Sequence, residues 1–499
     1  PFLMREPGSA GRKIVEACLA LNHLPCRPAW ESMSTQAIVS AVAEGLGVAV
    51  LPQLLVERDA REGRVVMLPF REPFCRYLYG VYHEKKHLSK SMRRFLELCQ
   101  ALGTPAPVGH AREDRMKNYS IMLKPASSLC DLRCRYCFYA DVAARRSVRS
   151  FGMMQDSVLR RIMENIARSV APGDHITLMF QGGEPMLAGL DFFRTLTEIA
   201  DSWPSGISVS YALQTNAMHL DEAWCLFLKK HEFLVGVSHD LLAAQHNAAR
   251  VDASGAPTMQ RVERSISLLR KHDIAFNVLC TLTNPLARHP QQVWKRIVQL
   301  NLPYVQFTPC LGFLEQTEKS PWAITPERFA SFYNGLFRLW LADLRAGRCR
   351  SIKLFDDVLG ALAFGISGAC GMGGRCHPQL VVEADGTVYP CDFYCLDEYA
   401  LGSLAEMTIP QLLQQPAVTR FLSRSQTLPM RCSGCRWKEF CGGGCERMRR
   451  GVCCTADDTF CGYESFLEET QNKLLALARS MQDNHSWIHG ISPFRQDRA

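Results

Sequence analysis

Residues 124–139 read KPASSLCDLRCRYCFY, and their three cysteines fall in the spacing C-x3-C-x2-C at Cys130, Cys134 and Cys137. The segment directly follows a short apolar run, so we predict that the cysteines lie on a loop after a β-strand. Three thiolates on one short loop can hold three irons of a [4Fe–4S] cluster and leave the fourth iron open to another ligand. For this spacing alone, a zinc site, which usually takes four protein ligands, and unrelated free thiols remain the alternatives.

From residue 116 onward, short apolar runs alternate with segments of helical periodicity, such as residues 157–170 and 258–272. The predicted strands are residues 120–125, 175–181, 207–216, 233–238, 275–282 and 304–310. This alternation is typical of βα units around a parallel sheet, so we predict an α/β fold with a partial (β/α)6 barrel. In such folds the functional loops converge at the carboxyl ends of the strands, where the cysteine loop is predicted to lie.

Four further motifs stand at the ends of these strands: FQGGEP at residues 180–185, LQTN at 213–216, VGVSHD at 235–240 and QFTPCL at 306–311. Together with the cysteine loop they resemble the radical S-adenosylmethionine (SAM) superfamily. The resemblance implies that the open iron chelates the amino and carboxylate groups of SAM, which is cleaved to a 5′-deoxyadenosyl radical. Gly182 and Gly183 allow close backbone approach to a ligand, and Glu184 is a candidate acceptor for its ammonium group.

Within that superfamily the chain most resembles the anaerobic sulfatase-maturating branch. The resemblance assigns SAM contacts to Tyr136, Gly183, Ser238, Arg250 and Leu311. An aromatic ring for adenine, a hydroxyl for the ribose and a guanidinium for the carboxylate suit these roles. The sequence departs from the family around Asp240, where His239 and Leu241-Leu242 replace the usual leucine and Gly-Pro. We expect this departure to alter the substrate pocket.

A second set of cysteines follows residue 365, in the order Cys370-x5-Cys376-x14-Cys391, then Cys432-x2-Cys435-x5-Cys441-x3-Cys445, then Cys461. This order resembles the SPASM extension, which implies two auxiliary [4Fe–4S] clusters and three clusters in all. By that resemblance, Cys370, Cys376, Cys391 and Cys445 hold one cluster, and Cys432, Cys435, Cys441 and Cys461 hold the other. Cys453 and Cys454 compete with Cys461 for the last position, and two structural zinc sites are the alternative.

Asp392 directly follows Cys391 in the segment YPCDFY. Family resemblance gives this carboxylate the role of accepting a proton from the substrate as a radical is oxidised. The alternative is an aspartate that caps a turn.

The first hundred residues resemble the second half of the effector-binding domain of LysR-type regulators, in FLMREPGSAGRK, in the helix followed by GLGVAVLP, and in a closing helix at 89–100. We interpret this segment as a truncated or fused module. The predicted organisation is a LysR-like segment at 1–100, a linker at 101–115, a radical SAM core at 116–365, a SPASM domain at 366–475 and a tail at 476–499.

Composition limits the remaining possibilities. The chain has 499 residues, 22 cysteines and a formal net charge of +8, with basic residues dispersed rather than massed, so charge alone indicates no nucleic-acid binding. No secretory signal or spanning apolar stretch stands out, so we expect a cytoplasmic protein without membrane contact, whose cysteines bind metal rather than form disulfides.

The resemblance to the sulfatase-maturating branch implies an enzyme that oxidises a Cys or Ser in a sulfatase precursor to Cα-formylglycine. The expected partners are a C-x-P-x-R or S-x-P-x-R peptide and a small-protein electron donor. One alternative is a SPASM enzyme that forms thioethers or epimers in another peptide. Another is a transcriptional regulator that senses through iron–sulfur clusters, against which the missing DNA-binding helices count.

Overall fold

The computed structural model describes residues 2–6, 9, 12, 28–68, 117–314, 320–364, 368–424, 428–449 and 451–483. The chain divides into two compact units, Pro1–Gly80 and Val81–Ala499. The predicted linker at 101–115 and the closing helix at 89–100 lie outside the described residues. No described helix is long and apolar enough to cross a membrane.

The first unit contains a small parallel sheet in which β1 (Phe2–Arg5) lies between β2 (Trp30–Ser32) and β3 (Val48–Ala49). Helix α1 (Thr35–Ala43) begins where the side chain of Ser34 accepts a hydrogen bond from the amide of Ala37, and α2 (Gln53–Arg61) follows β3. The predicted helix-to-strand unit is therefore present, in a helix that ends at Ala43 and a strand shorter than expected.

The second unit is built on the six predicted strands, which pair in chain order and are all parallel. Their bounds are β4 Asn118–Leu123, β5 His175–Phe180, β6 Ser208–Thr215, β7 Leu234–Ser238, β8 Phe276–Leu282 and β9 Tyr304–Pro309. A short strand, β10 (Ser351–Ile352), pairs with β9 and ends the described sheet on that side. The predicted α/β partial barrel is confirmed.

Helices cover the sheet because each presents apolar residues at helical spacing. In α4, Leu159, Ile162 and Ile166 are buried in the main core. The helices of the second unit up to residue 364 are α3 Phe138–Ala144, α4 Asp156–Ser169, α5 Leu190–Asp201, α6 Glu222–Lys230, α7 Ala243–Ala249, α8 Met259–Lys271, α9 Pro290–Gln299, α10 Pro326–Arg345 and α11 Lys353–Phe364.

The cysteine-rich region adds three short strands to the same sheet. Strand β11 (Leu380–Val382) pairs in parallel with β4, and β12 (Thr387–Tyr389) and β13 (Gly402–Ser403) continue antiparallel. Its helices are α12 Ile409–Leu413, α13 Pro416–Ser423, α14 Met430–Gly434, α15 Lys438–Cys441, α16 Glu446–Arg449 and α17 Gly462–Asp483. The auxiliary cysteines are therefore anchored directly beside the strand that leads to the first cysteine loop.

A buried ionic network ties β11 to this loop. Glu383 is fully buried and accepts hydrogen bonds from Arg146 Nη1 at 2.6 Å, from Ser127 Oγ at 2.9 Å and from the hydroxyl of Tyr139. These partners lie before, within and after α3, on both sides of the cysteines. Glu383 therefore fixes the SPASM-like region to the segments that flank the first cluster loop.

The Glu383→Gln variant is expected to lower the free energy of unfolding by about 3–5 kcal/mol, because it leaves the buried Arg146 guanidinium without its anionic partner. Urea unfolding followed by circular dichroism under anaerobic conditions measures the change. The matched control is Glu164→Gln, which removes an exposed ion pair with Arg168 and should cost at most about 0.5 kcal/mol. Equal effects of the two substitutions would contradict the conclusion that Glu383 fixes the SPASM-like region to the segments that flank the first cluster loop.

Candidate functional site

The cysteine loop after β4 is clamped against a second loop. The amide of Arg133 donates to the carbonyl of Val251 at 2.7 Å, and the amide of Arg135 donates to the carbonyl of Ala249 at 3.0 Å. The third cysteine, Cys137, stands at the N-terminus of α3. The loop is therefore held in place by backbone contacts that leave its cysteine side chains available.

The surroundings of the three thiols suit a cationic ligand. Burial raises the pKa of Cys130 to about 12 and that of Cys134 to about 11, although Arg250 opposes the rise at Cys134. Irons bound to these sulfurs would supply the positive charge that keeps them deprotonated. The amide of Leu132 also donates to the sulfur of Cys130 at 3.3 Å, a contact of the kind that tunes cluster ligands. The donor set fits an iron–sulfur cluster.

The glycine pair after β5 serves the packing of this loop. Gly183 has a φ of +53°, and a β-carbon there would lie 2.1 Å from the carbonyl oxygen of Leu129. Glu184 is buried and accepts hydrogen bonds from the amides of Met186 and Asn216 and from the Thr215 hydroxyl. Burial raises the pKa of Glu184 to about 7. The carboxylate therefore braces the ends of β5 and β6, and its contact with a ligand ammonium group stays a prediction.

Tyr136 and Arg250 meet at Asp240. The Tyr136 hydroxyl and Arg250 Nε, the latter at 3.0 Å, both donate to Asp240 Oδ2, and the guanidinium lies 5.4 Å from the Tyr136 ring centroid. The amide of Thr281 donates to Asp240 Oδ1 at 3.0 Å. Burial acts to raise the pKa of Asp240, but Arg250 and the other donors lower it overall, so the carboxylate is held ionised. Asp240 therefore connects Tyr136, Arg250 and Thr281 on this side of the site.

The other predicted SAM contacts lie at the same edge of the sheet. Ser238 ends β7 and accepts a hydrogen bond from Gln214 Nε2 at 3.0 Å. Leu311 follows β9 and is buried, and its neighbour Cys310 packs in one apolar cluster with Tyr136. The structure thus places all five predicted contacts on loops or strand ends at the carboxyl side.

The cysteines assigned to one auxiliary cluster come together from distant segments. Cys370 lies near Cys445 and Cys376, and Cys391 lies near Cys445 and Cys370, close enough for each pair to interact electrostatically. A β-carbon on Gly371 would lie 2.8 Å from the β-carbon of Cys445. The segments that carry Cys370, Cys391 and Cys445 therefore lie close together.

The other four auxiliary cysteines line one pocket. Its walls contain Cys432, Cys435, Cys441 and Cys461, and also Cys453 and Cys454. Amides at residues 437, 443 and 464 donate to the sulfurs of Cys435, Cys441 and Cys461, each at 3.4 Å. This donor set also fits an iron–sulfur cluster, and the two extra thiols identify the residues that compete for the last position.

Asp392 lies beside the first of these groups in a buried polar network. Lys124 Nζ donates to Asp392 Oδ1 at 2.6 Å, and Gln181 Nε2 donates to Oδ2 at 3.0 Å. Lys124 is fully buried and lies 3.8 Å from the ring centroid of Tyr139. Burial acts to lower the pKa of Lys124, but the charge of Asp392 raises it overall. The arrangement provides an oriented carboxylate next to an auxiliary cysteine.

Three family models match the chain: the LysR substrate binding domain over residues 1–103, the radical SAM superfamily over 125–286 and an iron-sulfur cluster-binding domain, SPASM, over 370–436. A cysteine-type anaerobic sulfatase-maturating enzyme of Clostridium perfringens is 37% identical over 376 residues, which cover 74% of this chain and 100% of the relative. The chain belongs to the anaerobic sulfatase-maturating enzymes.

Further similarities agree with this membership. A serine-type anaerobic sulfatase-maturating enzyme of Klebsiella aerogenes is 28% identical over 372 residues, which cover 74% of this chain and 89% of that relative. The solved structure of native anSMEcpe with bound AdoMet and Cp18Cys peptide is 35% identical, with a TM-score of 0.67, and the match covers 73% of this chain and 99% of that one. The prediction of a radical SAM sulfatase-maturating enzyme with a LysR-like N-terminal segment is confirmed.

Sequence reasoning gave little weight to three residues of this maturating enzyme's site. It named Asp240 only as the centre of a departure from the family, and it did not single out Lys124 or Gln181. Gln181 belongs to the FQGGEP motif and Lys124 to KPASSLC, so both stood beside recognised residues. The sequence did not show that both side chains contact Asp392, because Lys124 and Asp392 are 268 positions apart in the chain.

Proposed function

We propose that this sulfatase-maturating enzyme oxidises a cysteine side chain of a sulfatase precursor peptide to Cα-formylglycine. The observation that carries the proposal is the Asp392 carboxylate, oriented by Lys124 and Gln181 and adjacent in the chain to the auxiliary cysteine Cys391. A base placed beside an electron acceptor suits a substrate that must lose a proton and an electron together.

Three [4Fe–4S] clusters are proposed, with ligands from this chain only. Cys130, Cys134 and Cys137 hold the first. Cys370, Cys376, Cys391 and Cys445 hold one auxiliary cluster, and Cys432, Cys435, Cys441 and Cys461 hold the other. Four thiolates on each auxiliary cluster leave no open iron, which suits electron transfer. We also retain the domain limits 116–365 for the radical SAM core and 366–475 for the SPASM domain.

SAM is proposed to contact Tyr136, Gly183, Ser238, Arg250 and Leu311. Arg250 is suited to the SAM carboxylate because its charge is already oriented by Asp240 Oδ2 at 3.0 Å. When bound, SAM and the first cluster supply a 5′-deoxyadenosyl radical that takes a hydrogen atom, and an auxiliary cluster accepts one electron.

Asp392 accepts the proton that the reaction releases. The substrate β-carbon loses a hydrogen atom, its thiol loses a proton to the Asp392 carboxylate, and one electron leaves, so that the C–S single bond becomes a C=S double bond. Water then replaces the sulfur, which leaves as hydrogen sulfide, and the aldehyde of formylglycine remains. Lys124 holds the carboxylate in place for this step, because its ammonium group donates to Asp392 Oδ1 at 2.6 Å.

Cysteine is proposed as the target because the cysteine-type relative is 37% identical and the serine-type relative is 28% identical over similar lengths. A small electron-donor protein is the expected source of the electron that starts each turnover.

The test is an anaerobic reconstitution with iron, sulfide, SAM and a reductant, in which matched C-x-P-x-R, S-x-P-x-R and A-x-P-x-R peptides are compared. We expect 5′-deoxyadenosine and an aldehyde from the cysteine peptide, less aldehyde from the serine peptide and none from the alanine peptide. A loaded enzyme that oxidises only the serine peptide would reverse the assigned target. Absence of aldehyde from both would overturn the proposal.

A further inference from the structure

Leu241 has a backbone conformation that a leucine rarely adopts. Its φ is +63°, in the left-handed region that favours glycine, and its side chain is fully buried. In the resembled family a glycine stands at this position. The turn that follows β7 therefore holds a strained residue, and something in its surroundings must stabilise it.

His239, two residues earlier, makes a contact that stabilises this conformation of Leu241. Its Nδ1 accepts a hydrogen bond from the amide of Leu241 at 3.1 Å, and its side chain is fully buried. Because Nδ1 accepts, the neutral ring carries its proton on Nε2, which faces Glu263 Oε1 at 3.3 Å. Glu263 also pairs with Arg296, so the far side of the ring is fixed by an ion pair.

We expected this departure from the family to alter the substrate pocket, and the structure adds a contact of His239 with the backbone of its own turn. The imidazole points into the protein and bonds to the backbone of its own turn. His246 reinforces the same turn, because its Nδ1 accepts from the amide of Asp240 at 3.1 Å and its Nε2 lies 3.1 Å from Thr258 Oγ1.

Asp240 lies between the two unusual residues. Its carboxylate accepts hydrogen bonds from the Tyr136 hydroxyl, from Arg250 Nε and from the amide of Thr281, so it joins two loops to the end of β8 at the carboxyl edge of the sheet. The direction of that carboxylate depends on the backbone torsions of the turn from 239 to 241. A turn that relaxed at Leu241 would therefore move the anchor of Tyr136 and Arg250.

We propose that His239 and Leu241 form a coupled pair that orients Asp240, and through it Tyr136 and Arg250, for SAM binding. His239 is a positioning residue: it holds the turn that a glycine would adopt without help. This inference rests on the proposed SAM contacts, and it adds that two departures from the family compensate each other.

The test is a double-mutant cycle with His239→Leu, Leu241→Gly and the double variant, each loaded with iron and sulfide. The readouts are the dissociation constant of SAM, by anaerobic calorimetry, and the thermal midpoint. We expect His239→Leu to weaken SAM binding about tenfold and to lower the midpoint by several degrees. The double variant should return to within about threefold of the parent, because a glycine at position 241 needs no hydrogen bond to hold a positive φ.

His239→Asn is the conservative rescue, because its amide oxygen can accept from the Leu241 amide in place of Nδ1. It should bind SAM within about threefold of the parent, and it serves as the test if the leucine variant does not fold. Loss of affinity in His239→Leu that Leu241→Gly does not restore would assign the effect to the lost contact with Glu263 and overturn the coupling. Unchanged SAM affinity in both His239 variants would overturn it as well.

These readouts separate this inference from the proposed reaction. An enzyme that binds SAM and shows the rescue but forms no aldehyde retains the coupled pair and loses the proposed function. An enzyme that forms the aldehyde without any rescue retains the function and loses the coupled pair.

Discussion

Replacement of Cys134 by alanine is expected to reduce 5′-deoxyadenosine formation to background. The reason is that an open-iron cluster needs all three thiolates of its loop, and two are too few to hold it. The variant should contain less iron and sulfide than the parent, by the amount that one cluster holds. Both quantities are measured on anaerobically reconstituted protein, with product formation followed by chromatography.

The matched control is Cys225→Ala. Cys225 lies in α6, is fully buried in the main apolar core and belongs to none of the cysteine groups. The same side-chain change there should leave the cluster content and the SAM cleavage rate close to those of the parent. If Cys134→Ala cleaves SAM at the rate of Cys225→Ala, the first cluster is not held by this loop.

The Asp392→Asn variant is expected to lose formylglycine formation by about 10²–10⁴-fold, the usual contribution of a proton-transfer group. Its SAM cleavage should persist, because the carboxamide still accepts from Lys124 and no SAM contact is changed. The diagnostic quantity is the ratio of aldehyde to 5′-deoxyadenosine in the presence of the cysteine peptide. That ratio should collapse, whereas a general folding defect would reduce both products together.

Asp385→Asn provides the control, because Asp385 is an exposed aspartate on the turn before β12 that hydrogen-bonds to Thr387. It should keep the parent's product ratio. Lys124→Met tests the partner: if Lys124 acts through Asp392, the double variant Lys124→Met/Asp392→Asn should be no worse than Asp392→Asn alone. A product ratio in Asp392→Asn equal to that of the parent would remove Asp392 from the reaction.

The elements that were predicted well are those with local signals. Each of the six barrel strands is a short run of β-favouring residues bounded by a turn, and each pairs with its neighbour in chain order, so reading the sequence in order also gave the sheet order. Strands β11 to β13 were missed because two or three residues show no alternation. The strand that begins this extension, β11, pairs with β4, which lies more than 250 positions earlier in the chain.

The sequence by itself determined the fold class, the family and the grouping of the cysteines, because strand runs, helical periods and cysteine spacings are local patterns that a linear chain displays directly. Only the tertiary structure decided which charges meet. Lys124 reaches Asp392, Arg146 reaches Glu383, and Asp240 joins two loops to the end of β8, because parallel strands bring the ends of distant segments to one edge. Because these charged groups are buried, each needs an oppositely charged partner. The spacing of residues along the chain does not specify which partner that is.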